Sequence, residues 1–65
     1  MITVHLEPEG QTLTFDTLNT VLQLLHKVGK RQSQALVIRG GELLTQDRKL
    51  HRGDEIVVRG VTSRG

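Results

Sequence analysis

Apolar and polar positions alternate strictly at the start of the chain. Ile2, Val4 and Leu6 interleave with Thr3, His5 and Glu7, the period of a strand with one buried face. Pro8-Glu9-Gly10 is a turn signal, because proline presets φ and glycine accepts positive values. Leu13 and Phe15 then alternate with Thr12, Thr14 and Asp16, which predicts a second strand and an N-terminal hairpin. The period next lengthens. Leu18, Val21, Leu22, Leu25 and Val28 form the stripe of an amphipathic helix, with Leu24 flanking it. Asp16 or Thr17 is positioned to cap its start and Gly29 to end it. Lys27, Lys30 and Arg31 fall near the negative end of the helix dipole, where cations are mildly favourable.

Beyond a polar link, Ala35-Leu36-Val37-Ile38-Arg39 reads as a third strand. Gly40-Gly41 reads as a hairpin turn and Glu42-Leu43-Leu44 as a short return strand. Thr45 to Arg52 is polar except for Leu50, which is expected to pin this loop to the core. Gly53-Asp54 precedes a last strand over 55–61. The order is β-β-α-β-β-β, and one helix can cover only one face of the sheet. The expected fold is α+β, a mixed four- to five-stranded sheet with one helix on one face, in the β-grasp arrangement. Residues 1–61 form the domain, and 62–65 (Thr62, Ser63, Arg64 and Gly65) are expected to be a flexible tail.

Composition narrows the chemistry. The 65 residues contain no cysteine and carry a net charge of +2, so disulfides and thiolate metal sites are excluded. No apolar run approaches the ~18 residues of a spanning helix, and the N-terminus lacks the basic flank of a signal peptide. A cytoplasmic protein is the expectation. Phe15 is the only aromatic residue, which is poor equipment for stacking on single-stranded nucleic acid. His5, His26 and His51 lack close ligand spacing, and Ser33 and Ser63 lie in no nucleophile motif. Neither glycine turn has a phosphate-loop context. No internal catalytic residue, bound cofactor or metal site is expected. Arg48, Lys49, His51 and Arg52 form the densest basic stretch, read as a solvated loop.

The run Leu36-Val37-Ile38-Arg39-Gly40-Gly41-Glu42-Leu43, then Asp47, Leu50 and Gly53-Asp54-Glu55-Ile56, with a short tail to Gly65, resembles the ubiquitin-like sulfur carriers of the ThiS and MoaD type. D-x-x-L-x-x-G-D-E-I, followed by a strand and a glycine, is the most specific part, and the resemblance spans nearly the whole chain. It implies that the protein is not an enzyme. An E1-like adenylating enzyme, using ATP and Mg²⁺, would activate the Gly65 carboxylate for conversion to a thiocarboxylate. A downstream sulfur-accepting synthase in cofactor or tRNA biosynthesis would then consume it, or the carboxylate would be conjugated to lysine. The family usually ends Gly-Gly, whereas here Arg64 precedes Gly65. A bulky, charged Arg64 would either block the partner's channel or require an acidic groove, so the resemblance implies a divergent carrier with its own activating enzyme or a relative that has lost the chemistry.

The exposed sheet face completes the picture. With Leu36, Ile38, Ile56 and Val58 facing the helix, Val37, Arg39, Val57 and Arg59 would face outward beside Thr3 and His5. Two valines rimmed by arginines would make a partner-docking patch. The alternatives to a carrier are a non-covalent β-grasp interaction module and, less favoured, an RNA-contacting β-grasp domain.

Overall fold

The computed structural model describes residues 1–61; the tail expected over 62–65, with Thr62, Ser63, Arg64 and Gly65, lies outside the described residues. Strand β1 (Ile2–Glu7) pairs antiparallel with β2 (Gln11–Phe15). Helix α1 (Val21–Val28) follows, then a 3-10 turn over Gln32–Gln34 and strands β3 (Ala35–Arg39), β4 (Glu42–Leu44) and β5 (Glu55–Gly60). The strand order is β2-β1-β5-β3-β4. β5 runs parallel to β1 and antiparallel to β3. This is an α+β fold of the β-grasp kind, with the final strand in the centre of a mixed sheet.

The core forms where the helix stripe meets the inward sets of the strands. Ile2, Val4 and Leu6 from β1, Ile56 and Val58 from β5, and Ala35 and Val37 from β3 pack with Val21, Leu24 and Leu25 of α1. Leu18, Leu44 and Leu50 close its margins, and Leu13, Phe15 and Val28 are partly buried against it. Among the described residues no polar or charged side chain is buried. Burial of these apolar groups is the main source of stability.

The helix departs from its sequence reading at its start. Thr20, in extended backbone, accepts a hydrogen bond from Gln23 N at 3.3 Å, so Thr20 is the cap in place of Asp16 or Thr17. Gln23 reciprocates toward Asn19, whose N–H donates to its Oε1 at 2.7 Å. Thr20 also bridges Lys49 of the 45–54 segment, and the amides of Val21 and Leu22 donate to Arg48 O and Gln46 O. This packing sets the entry to α1. The stripe is rotated accordingly: Leu24 is fully buried and Leu22 is 41% exposed. At the other end Gly29 takes the left-handed conformation (φ 73°) and its amide closes the last turn. Gly40 and Gly41 both have positive φ, as a tight hairpin between β3 and β4 requires.

Candidate functional site

The sheet face opposite α1 is the surface on which the candidate residues meet. Strand pairing determines which side chains share it, because directly paired residues point to the same side. Thr12 pairs with His5, His5 with Val57, Val57 with Ile38, and Ile38 with Leu43. These five positions make one row across all five strands. In the flanking rows Glu7 pairs with Arg59 and Arg59 with Leu36, while Thr14 pairs with Thr3 and Thr3 with Glu55.

The row has two chemical halves. Over β5, β3 and β4, Val57, Ile38, Leu36 and Leu43 form an apolar patch. Leu43 is 60% exposed and Leu36 38%, whereas Ile38 and Val57 are half-buried. Over β1 and β2 the surface is polar. Glu55 Oε2 lies 2.7 Å from His5 Nε2, and Thr12 Oγ1 lies 3.2 Å from His5 Nδ1. Arg59 Nε donates to Glu7 Oε1 at 3.0 Å, placing an ion pair at the border of the patch. Exposed pairs of this kind contribute little stability; their effect here is to give the rim charges of both signs.

This arrangement corrects the expected docking set. Val57 and Arg59 do lie on the outer face, but Val37 does not: it pairs with Val58 and is buried at 3% exposure. Leu36 and Ile38, expected to face the helix, are the outward residues. The run Ala35 to Arg39 has no polar residue until its end, so its alternation can be read in either phase. Pairing with β5 selects the phase, and a shift of one residue exchanges every side chain between faces. Arg39 follows Val37 to the other side. Its guanidinium donates to Asp54 Oδ2 at 2.9 Å and to Lys49 O at 3.2 Å, which ties β3 to the 45–54 segment.

The D-x-x-L-x-x-G-D-E-I run has a structural role. Thr45 Oγ1 donates to Asp47 Oδ1, and this bond, with help from the Asp47 amide, holds the Asp47 carboxyl below its ordinary range. Leu50 is buried and its amide donates to Asn19 O at 2.9 Å. Gly53 N donates to Met1 O, and Asp54 O accepts from Thr3 N. Asp54 Oδ2 also accepts from His51 N at 2.8 Å. Burial pushes the Asp54 carboxyl up, but the His51 and Arg39 hydrogen bonds outweigh it and leave the group below its usual range. The run is thus a connector that aims β5 into the sheet beside β1.

At the far end of β5, Glu7, Pro8, Gly10, Arg59 and Gly60 line an open depression of about 530 Å³. A Cβ on Gly60 would sit 3.4 Å from Glu7 O and 3.7 Å from Pro8 Cδ, so this glycine has the β1–β2 corner as its neighbour. Lys30 Nζ reaches across to Glu9 Oε2 at 3.2 Å. That hydrogen bond, together with a stronger one from the Glu9 backbone, keeps the Glu9 carboxyl below its ordinary range.

His5, His26 and His51 stand on β1, on α1 and in the 45–54 segment, and among the described residues no three His, Asp or Glu side chains gather around a common point. No described helix is long and apolar enough to cross a membrane. Comparison of the chain with protein-family models and with curated proteins finds no match to either.

Proposed function

We propose that the chain is a small ubiquitin-like sulfur carrier that docks on an E1-like adenylating enzyme and presents the Gly65 carboxylate to it. The observation that carries the reading is the apolar patch of Leu36, Ile38, Leu43 and Val57 on the strands around β5, the strand that leads in sequence to Gly65. A partner holding that patch keeps the carboxylate at high local concentration near its own active centre. An ionised α-carboxylate, with a pKa near ~3.5, is a poor electrophile at neutral pH. In this reading the partner supplies ATP and Mg²⁺. A carboxylate oxygen attacks the α-phosphorus and pyrophosphate leaves; hydrosulfide supplied by a sulfur donor then attacks the acyl carbon, AMP leaves, the sulfur proton passes to solvent, and a thiocarboxylate remains for a downstream synthase. Conjugation to lysine would start from the same adenylate. In this reading the reaction takes place in the cytoplasm.

Intact-mass analysis of the protein isolated from its native cell tests this. The expected species carries sulfur in place of one terminal oxygen and disappears when Gly65 is deleted. The same spectrum reports whether Gly65 is the last residue. An unmodified terminus in cells containing all their adenylating enzymes removes the carrier reading.

One observation favours a second reading, a non-covalent β-grasp interaction module. The patch lies wholly within the domain and needs no terminal chemistry to bind a partner. Deleting Gly65 separates the two: a module keeps its partner-dependent function, whereas a carrier loses it. An RNA-contacting domain has less support, because Arg48 faces Glu42 at 3.5 Å and Arg39 is committed to Asp54.

A further inference from the structure

We draw no further inference here: the strongest candidate, the row Val57, Ile38 and Leu43 with Leu36 on the outer sheet face, belongs to the site already described, and nothing in the structure shows what else covers it.

Discussion

Asp54 shows what one side chain decides in a domain this small. Its carboxylate joins the Arg39 guanidinium to the His51 amide, and its backbone joins the 45–54 segment to β1. Asp54→Ala should cost about 1.5 kcal/mol of stability in urea denaturation, the usual range for hydrogen bonds to a charged group. The pH dependence follows from the lowered carboxyl. A depressed folded pKa contributes stability that is fully present above the unfolded value near ~3.9 and is lost as pH falls through the folded value. The stability gap between wild type and Asp54→Asn should therefore be constant from pH 7 to 5 and shrink below pH ~4; a gap that widens on acidification contradicts this. Gly60 is the opposite case, a residue with no side chain to lose. A Cβ there meets its neighbours at ordinary contact distance and φ is not positive. Gly60→Ala should accordingly be neutral or raise stability by roughly 0.5 kcal/mol through the unfolded chain's lost freedom.

At the scale of elements, α1 has the more instructive boundary. Its periodicity is visible in the sequence, but its first residue is chosen by Thr20, which caps the helix while bridging Lys49. Thr20→Ala should destabilise by about 1 kcal/mol, whereas Thr17→Ala should be nearly silent in the same thermal melt. Equal effects would return the cap to the earlier position. β1 was legible because three polar residues interrupt its apolar set, and the observed burial alternates in step. β3 was legible as a strand but not in phase. Nothing within Ala-Leu-Val-Ile distinguishes one face from the other; the neighbour Val58 does. The 3-10 turn over Gln32–Gln34 has no periodicity to announce it, and its backbone is tied down from outside, by Val61 N donating to Gln34 O.

For the molecule as a whole, the phase of β3 turns into a test of function. Val37→Ser places a hydroxyl in the core and should cost about 2–4 kcal/mol, enough to compromise a small domain. Ile38→Ser together with Val57→Ser alters only half-buried positions on the outer face and should leave the fold intact while weakening partner recovery from native cells. Circular dichroism reads the first effect and co-purification the second. Partner recovery unchanged in a folded double variant would remove the outer face from the proposed docking. Leu43→Ser on the exposed edge strand offers an independent check of the same surface, at lower cost to stability.

The sequence by itself determined the kinds and order of the elements, the α+β class and the β-grasp arrangement. Those follow from local rules: period two or three-to-four, a glycine pair at a hairpin, a glycine after a helix. It also supplied Leu50 as the apolar anchor of a polar segment, since a lone leucine there has few other uses. What tertiary structure decided was every property that depends on a neighbour distant in the chain. The outward face of β3 depends on β5, the helix start on the 45–54 segment, and the surroundings of Gly60 on the β1–β2 corner. Which face of a strand is buried is a matter of pairing, and pairing is not written in any five-residue window. The candidate docking surface therefore changed membership, from Val37 and Arg39 to Leu36, Ile38 and Leu43, while the fold that displays it stayed as expected.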